Sequence, residues 1–223
     1  MDRSIPFVLV ADVDDPVLAA GDHHHLARVR RLRPGDAVTV GDGRGRYRLA
    51  AFGERCEPAG DVVVVPAPAP VLTVGFALTK ADKPEAAVQS LTEVGVDRIV
   101  PFIADRTIVR WDPEKSARNA ERLRSVAREA AMQAHRPWVP DVADVVSFDD
   151  VAASAGVALA HPDGGALRDG VVTLLVGPEG GWSSREEAAV AGRVGLGPHV
   201  LRAATAATVA GAMLVAGTSR AAE

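Results

Sequence analysis

A glycine-rich turn between two regular patterns is the stretch of this sequence best suited to hold a ligand. The apolar run Leu174 to Val176 ends at Gly177-Pro178-Glu179-Gly180-Gly181, and a helical pattern follows over 184–192. Glycines let backbone N–H groups approach a ligand without an intervening Cβ, and open α/β sheets bind ligands at the carboxyl ends of their strands. The spacing fits neither a P-loop nor a dinucleotide fingerprint. On spacing alone, a ligand loop and a plain structural corner both remain open.

A second glycine loop favours the ligand-binding interpretation. Leu196-Gly197-Pro198 precedes a predicted short strand, Val200–Leu201, after which Arg202 and Thr205 open an alanine-rich helix over 204–217. Two Gly-Pro loops at strand ends would form opposite walls of one pocket. The helix is small and apolar at Ala206, Ala207, Ala210 and Ala212. Such a helix packs either into its own domain or against a partner.

Neither metal chemistry nor nucleophilic hydrolysis is expected. His23 to His25 are predicted to lie in a strand, where adjacent side chains point to opposite faces and converge poorly on one ion. The single cysteine, Cys56, also indicates a reducing compartment. Ser183 and Ser184 begin a helix, where Ser184-x-x-Glu187 predicts a capping box, and no Gly-x-Ser-x-Gly elbow occurs.

Arginine is concentrated in two segments of a chain whose net charge is −4. Residues 23–48 contain seven arginines and two aspartates, and residues 115–136 contain six basic residues and two glutamates. The planar arginine fork suits phosphate, although a general codon preference for arginine would also raise the count. No segment has the pattern of a secretion signal or a membrane span, so we expect a soluble cytoplasmic protein.

Two domains are predicted, one before and one after a proline-rich linker at 66–71. Apolar runs at 7–10, 37–40, 47–52 and 61–65, separated by turn residues, indicate a small β-barrel-like module. After the linker, predicted strands alternate with helices, which is typical of an α/β domain whose parallel sheet is covered on both faces. The strands are 71–78, 98–103, 157–160 and 172–176, and the helices are 83–94 (capped by Asp82), 113–134, 184–192 and 204–217.

Several longer segments, taken in order, carry a family resemblance. They read HHHLARVRRLRPGDAVTVGDGRG, LTKADKPEAAVQSLTEVGVDRIVPFIADRT, AREAAMQAHRPWVPDV, LLVGPEGGWSSREE and LGPHVLRAATA. Together they resemble the RsmE family of SPOUT-superfamily methyltransferases, which use S-adenosylmethionine (SAM) to methylate N3 of a uridine in 16S (small-subunit) ribosomal RNA. The resemblance implies a PUA-like RNA-binding β-barrel over 1–68 and a SPOUT methyltransferase domain with a trefoil knot over 71–223.

The same resemblance implies where SAM would bind and which residues would act. It places the cofactor among three loops of the knot. Their residues are Ala160, His161 and Pro162; Val176, Gly177, Glu179, Gly180 and Gly181; and Leu196, Gly197, Val200 and Leu201. Arg202 and Thr205 are the implied catalytic residues, with Arg202 stabilising a base that loses its N3 proton. Glu179 is open to two interpretations, as the general base or as a residue that orders its loop.

One departure from the family sequence affects the mechanism. Family members commonly have Thr and Glu where this chain has Ala203 and Ala204, so no role of that carboxylate transfers. Two other functions therefore stay open: a related SPOUT methyltransferase acting on transfer RNA, and a non-catalytic RNA-binding or ribosome-assembly protein.

RNA-binding residues and a homodimer are implied as well. The RNA-binding residues are Arg30, Arg31, Arg33, Lys80, Arg106, Gln133 and Arg136. Arg106 and Arg136 are alternatively plain solvated charges. The homodimer would form through the C-terminal domain, with Met213 in its interface.

Overall fold

A computed structural model describes residues 1–79, 84–109 and 112–218 of the chain, which divides into two units. The first unit comprises Met1–Ala67 and Ala131–Val139, and the second comprises Pro68–Ala130 with the described residues after Val139. We predicted from the sequence that residues 131–139 belong to the C-terminal domain, whereas they lie with the first unit. The predicted helix cap Asp82 falls outside the described residues.

The first unit is the predicted small β domain. Its elements are β1 (Phe7–Leu9), α1 (Ala20–His24), a π-helical turn (His25–Val29), β2 (Ala37–Gly41), β3 (Arg46–Ala51) and β4 (Glu57–Val64). The strands pair in the order β1-β2-β3-β4. The β1/β2 pair is parallel and the other two pairs are antiparallel.

The prediction of a strand at His23–His25 was wrong, because these residues are helical. The helical turn buries Leu26 in the core of the unit. In α1, the His23 ring stacks on Phe52, with ring centroids 5.0 Å apart. Among the described residues, no group of three or more His, Cys, Asp or Glu side chains is arranged to hold a metal ion.

Residues 131–139 join the first unit through backbone contacts that no sequence periodicity reveals. The Gly45 N–H donates to the Pro137 carbonyl at 2.9 Å, and the Val139 N–H donates to the Gly43 carbonyl at 3.0 Å. The Trp138 indole donates to the Val65 carbonyl at 3.1 Å. A Cβ on Gly45 would lie 2.6 Å from that carbonyl oxygen and 2.7 Å from the Trp138 ring. Glycine at 45 therefore permits the close approach.

The second unit is the predicted α/β domain with a parallel sheet. Its strands are β5 (Thr73–Ala77), β6 (Arg98–Ile103), β7 (Asp141–Val142), β8 (Val146–Ser147), β9 (Val157–Gly165), β10 (Thr173–Val176) and β11 (Arg193–Val194). Its helices are α2 (Pro84–Val94), α3 (Pro113–Gln133, which ends in the first unit), α4 (Phe148–Ala152), α5 (Ser184–Ala189) and α6 (Ala203–Gly217). The sheet order is β11-β9-β10-β5-β6-β7, with β8 also pairing with β6, and every pair is parallel.

Apolar side chains cover both faces of this sheet. On one face, Phe76 and Val176 pack into a cluster with residues of α2, α3 and α6, which we call the α6-side cluster. On the other face, Phe102 packs with Phe148 and Trp182. A Cβ on Gly211 would lie 2.8 Å from the Leu91 side chain, so glycine lets α6 approach α2. Of the small residues predicted to pack closely, Ala206, Ala207 and Ala210 are buried, whereas Ala212 is exposed.

Two predicted boundaries near the C-terminal end were wrong. The short strand is Arg193–Val194 rather than Val200–Leu201, and Val200 is 97% exposed. The helix predicted to reach residue 192 ends at Ala189, because the Gly192 carbonyl accepts a hydrogen bond from the Leu159 N–H at 2.8 Å. Within the described ranges, no helix is long and apolar enough to cross a membrane.

Candidate active site

The first predicted cofactor loop lies inside β9 as a bulge. Arg193 pairs with Leu159, yet the next residue, Val194, pairs with Gly165. Residues 160–164 therefore leave the ladder, as the extra residues of a β-bulge do. Ala160, His161 and Pro162 were expected in a loop, and the structure places them within the bounds of a strand but outside its regular pairing.

Two glycines hold this bulge against the chain that follows β11. A Cβ on Gly164 would lie 2.3 Å from the backbone carbonyl carbon of Val194, and a Cβ on Gly195 would lie 2.5 Å from the Gly164 oxygen. Real Cβ atoms do not approach other atoms so closely. The two backbone segments pass in direct contact, which requires glycine at both positions.

The second predicted loop is a tight turn at the carboxyl end of β10. Val176 is the buried last residue of the strand. The Gly181 N–H then donates to the Pro178 carbonyl at 2.9 Å, and Gly181 has φ +70°, a conformation that favours glycine. The Glu179 side chain is exposed. This turn and the residues up to Ser183 are called the 177–183 loop below.

Trp182 connects the 177–183 loop to the β9 bulge through a hydrogen bond. Its ring stacks on Phe102 at an interplanar angle of 3° and a centroid distance of 6.1 Å. Its indole N–H donates to the Ala160 carbonyl at 2.9 Å. A Cβ on Gly177 would lie 3.0 Å from the same ring. One side chain thus holds the first two predicted loops together.

The capping box of α5 lies one residue earlier than predicted. Ser183 is the N-cap and Glu186, rather than Glu187, completes the box. The fully buried Glu186 carboxylate accepts hydrogen bonds from the Ser183 N–H at 2.8 Å and the Asp105 N–H at 2.9 Å. A buried carboxylate requires such donors. Because Glu186 has them, the capping box forms at Ser183-x-x-Glu186 and not at Ser184-x-x-Glu187.

The shifted frame leaves Glu187 facing His161. The Nδ1 atom of His161 accepts a hydrogen bond from the Asp163 N–H at 3.1 Å. In the neutral imidazole the proton is therefore on Nε2, which lies 3.6 Å from a Glu187 oxygen. Glu187 also pairs with Arg193 at 3.2 Å. These contacts tie the bulge to α5 and β11, while Pro162 is exposed.

The third predicted loop leads directly into α6. Leu196 and Leu201 are partly buried against the α6-side cluster, as is Ala160, whereas Gly197 and Val200 are exposed.

Arg202 occupies the N-cap position of α6 without a side-chain capping bond. Its side chain and that of Thr205 are exposed. All three predicted loops therefore contribute a residue to one apolar layer, and two polar side chains follow at the start of α6.

The predicted RNA-binding residues fall in both units. Arg30, Arg31 and Arg33 are exposed in the connection that precedes β2. Arg31 has φ +59°, which is uncommon for a residue other than glycine. Gln133 in the same unit is exposed and Arg136 is half-buried. Lys80 lies outside the described residues.

Arg106, in the second unit, is more than a solvated surface charge. Its guanidinium Nη1 donates to the Gly180 carbonyl at 2.8 Å.

The same turn carries Asp105, which was not predicted from the sequence as a site residue. Trp182, Arg185 and Glu186 were not predicted either. Hydrogen bonds from Arg185 and then from Ser183 lower the pKa of the Asp105 carboxyl to about 2. The sequence signal for Glu186 was the alternative frame Ser183-x-x-Glu186, whereas the partner Asp105 is distant in sequence.

Comparison with known proteins identifies the class of protein that combines this sheet and these loops. The family model of an RNA methyltransferase domain matches residues 66–215, and that of an RNA methyltransferase PUA domain matches residues 19–52. Among curated relatives, ribosomal RNA small subunit methyltransferase E of Mycobacterium tuberculosis is 36% identical over 87% of this chain and 83% of its own length. The Synechocystis protein of the same name is 31% identical over 86% of this chain and 70% of its own length.

Solved structures agree with this classification. Ribosomal RNA small subunit methyltransferase E from Neisseria gonorrhoeae, bound to SAM, has a TM-score of 0.76 and 25% identity, and the match covers 93% of this chain and 96% of that one. A Legionella pneumophila protein with bound SAM gives a TM-score of 0.81 and 26% identity over 96% and 98% of the two chains. The fold and loops are those of an RNA methyltransferase with a PUA domain. Within that class, the chain belongs to the ribosomal RNA small subunit methyltransferase E (RsmE) family.

Proposed function

We propose that this protein transfers the methyl group of SAM to N3 of a uridine in 16S ribosomal RNA. The observation that carries the proposal is the 36% identity to a curated methyltransferase of this name over 87% of the chain. The match to an RNA methyltransferase PUA domain supports RNA as the substrate. SAM-bound relatives with TM-scores of 0.76 and 0.81 support the cofactor.

The residues of the three loops fit SAM as a ligand. The backbone of Gly180 and Gly181 has no Cβ to block an approaching group, and Ala160, Leu196 and Leu201 present apolar surface from one layer. Backbone amides and carbonyls of these loops would hold the polar groups of the cofactor. When bound, SAM supplies a methyl group activated by its sulfonium centre. A weakly polar pocket suits that chemistry, since the sulfonium charge is lost on transfer.

Arg202 is proposed to stabilise the uracil as it loses its N3 proton. The exposed guanidinium follows the third loop directly, and it forms no capping bond with α6. A positive charge beside a developing negative charge stabilises the transition state and so lowers the barrier. Thr205, exposed in the first turn of α6, would orient the base through its hydroxyl group. Glu179 is proposed to order its loop, because it lies among the glycines and proline of that turn. Ala203 and Ala204 leave no carboxylate at the start of α6 to act as the general base.

A methyl-transfer assay with three RNAs tests the proposed substrate. Purified protein and SAM with a labelled methyl group are incubated with 16S RNA, with assembled small subunits and with transfer RNA. Label is expected in the ribosomal substrates and not in transfer RNA. Label in transfer RNA alone would favour the related tRNA methyltransferase, and absence of SAM binding by calorimetry would favour a non-catalytic RNA-binding protein.

The Gly180→Val variant links this assay to the 177–183 loop. A Cβ at Gly180 meets only ordinary contacts, 3.4 Å from the Arg106 Cβ, so the variant is expected to fold. Its branched side chain would cover backbone that the ligand needs. We expect SAM binding and methyl transfer to be lost while the thermal unfolding temperature stays close to that of the wild type. Unchanged SAM affinity would show that this loop is a structural corner.

A homodimer formed through α6 is proposed as the working assembly. The helix carries no charged residue over Ala203–Gly217, and Thr205, Ala212 and Ala216 are exposed on it. A helix this apolar is normally covered on more than one side. A Met213→Glu variant is expected to yield monomers or aggregates by light scattering and to lose activity. An active wild-type monomer at assay concentration would contradict the proposed dimer.

Cytoplasmic location stays a prediction, which cell fractionation would check.

A further inference from the structure

The turn after β6 holds the 177–183 loop at its middle and at its C-terminal end. Arg106 donates to the Gly180 carbonyl at 2.8 Å in the middle of the loop. Near its end, the Ser183 hydroxyl donates to the Asp105 carboxylate. The Asp105 N–H also donates to Glu186 at 2.9 Å, and Glu186 in turn accepts from the Ser183 N–H. A turn from a separate strand thus fixes the ligand loop from outside.

Arg185 completes the arrangement around Asp105. Its guanidinium binds the carboxylate through two hydrogen bonds, from Nε at 3.0 Å and from Nη2 at 2.7 Å. The other Nη atom binds Asp149, and the guanidinium carbon lies 5.6 Å from the centre of the Phe148 ring. Two-point arginine–carboxylate pairs fix orientation as well as distance. The orientation of the first turn of α5, and with it the end of the loop, is therefore set by Asp105.

The exposure of these groups indicates a local role rather than a global one. The Asp105 and Arg185 side chains are 36% and 51% exposed, and exposed ion pairs contribute little to global stability. A loop that is already ordered, however, loses less conformational entropy when it binds a ligand. The contacts of Asp105 thus matter mainly for the free energy of ligand binding to the loop.

We propose that Asp105 is a positioning residue that holds the 177–183 loop in its cofactor-binding conformation before the cofactor binds. The proposal rests on the function proposed above, since it takes that loop as the SAM site. Asp105 acts through Ser183, Arg185 and the backbone of the loop and does not itself touch the reacting atoms. Loss of Asp105 should weaken cofactor binding without slowing methyl transfer in the loaded enzyme.

The test compares Asp105→Ala with the matched control Asp144→Ala. Asp144 also pairs with an exposed arginine, Arg124, at 2.7 Å in the same unit, but it contacts no residue of the loop through that pair. Calorimetry gives the Kd for SAM, steady-state kinetics give kcat and the KM for SAM, and thermal unfolding gives Tm. For Asp105→Ala we expect Kd and KM to rise about tenfold, as the loss of charged hydrogen bonds predicts. The kcat at saturating SAM should stay near the wild-type value, and Asp144→Ala should leave Kd unchanged.

Two further variants separate positioning from general damage. Asp105→Asn keeps the shape and an acceptor for Ser183 but removes the charge, so its Kd should lie between those of the wild type and Asp105→Ala. Adding Arg185→Ala to Asp105→Ala should raise Kd little further, since the contact of Arg185 with Asp105 is already lost in the single variant. A merely structural role would instead lower kcat and Tm together and leave Kd unchanged.

The outcomes distinguish this proposal from the one on which it rests. Wild-type protein that binds no SAM would overturn the proposed function and the positioning role together. Wild-type protein that binds SAM, with unchanged affinity in Asp105→Ala and Asp105→Asn, would overturn the positioning role alone.

Discussion

The indole N–H of Trp182 donates a hydrogen bond to the carbonyl oxygen of Ala160 at 2.9 Å. This contact joins the loop after β10 to the bulge of β9, which are two of the three loops proposed to hold SAM. The Trp182 ring is at the same time stacked on Phe102 in the core. The relative position of the two loops therefore depends on a side chain anchored in the apolar cluster on one face of the sheet.

Replacing Trp182 by Phe should separate these two contributions. The variant keeps an aromatic ring for stacking but leaves the partly buried Ala160 carbonyl without its donor, at a cost of about 1–3 kcal/mol. We expect the SAM affinity measured by calorimetry to fall severalfold. Trp138→Phe is the matched control, because its indole donates to the Val65 carbonyl in the other unit. That control should lower stability by a similar amount and leave SAM affinity unchanged, and equal affinities in both variants would refute the link between the loops.

Gly164 and Gly165 are neighbours with opposite sensitivity to a methyl group. A Cβ on Gly164 would lie 2.3 Å from backbone, whereas one on Gly165 meets nothing within 4 Å. Gly164→Ala should destabilise the second unit by at least about 1–3 kcal/mol, the usual cost of overpacking. Gly165→Ala should be nearly neutral. Urea unfolding of the two variants checks the difference, and similar midpoints would show that the backbone crossing relaxes at little cost.

The exposed arginines of the first unit should carry the salt dependence of RNA binding. Arg46 and Arg48 pair with Asp14, whereas within the described residues no ion pair involves Arg30, Arg31 or Arg33. Changing these three to Glu should weaken RNA binding and flatten the dependence of affinity on salt, because fewer counterions are released. Changing the same three to Lys should retain most of the slope. Filter binding at several salt concentrations measures both slopes. If the Glu variant has the same slope as the wild type, the RNA contact lies elsewhere.

The Asp105–Arg185 contact should persist over the whole physiological pH range. The pKa of Asp105 is lowered from 3.8 to about 2, first by its hydrogen bonds with Arg185. A carboxylate with a depressed folded-state pKa adds stability above its unfolded pKa and loses that contribution as pH falls through the folded value. The difference in Tm between wild type and Asp105→Asn, which should be small because the pair is exposed, should therefore be constant from pH 7 to pH 5 and shrink between about pH 4 and pH 2. A difference that grows on acidification would contradict this assignment.

Local patterns predicted the architecture because the apolar runs and helical patterns of the sequence coincide with strands and helices of the structure. The parallel sheet, the small β domain and the turn at Gly177–Gly181 were all readable from apolar runs and glycines. The frame of the α5 cap was not, because Ser183 and Ser184 each have a Glu three residues later, and the choice depends on the Asp105 N–H.

Long-range backbone contacts explain the remaining differences. The bulge at Ala160–Gly164 arises from its pairing with Arg193 and Val194, which no local pattern records. Likewise, the helix predicted to end at residue 134 ends at Gln133, but no local pattern assigns residues 131–139 to the first unit. That assignment depends on Pro137 and Val139, which hydrogen-bond to the glycines at 45 and 43. The trefoil knot and the homodimer stay predictions that follow from the family.

The identity of the methylated atom decides whether this protein methylates N3 of uridine. Wild-type protein is incubated with SAM and small-subunit RNA, the RNA is digested to nucleosides, and the products are separated and identified by mass spectrometry against synthetic standards. We expect one new product, 3-methyluridine, and its absence with Gly180→Val. Methylation of another atom or another base, or no methylated nucleoside at all in the presence of bound SAM, would contradict this expectation.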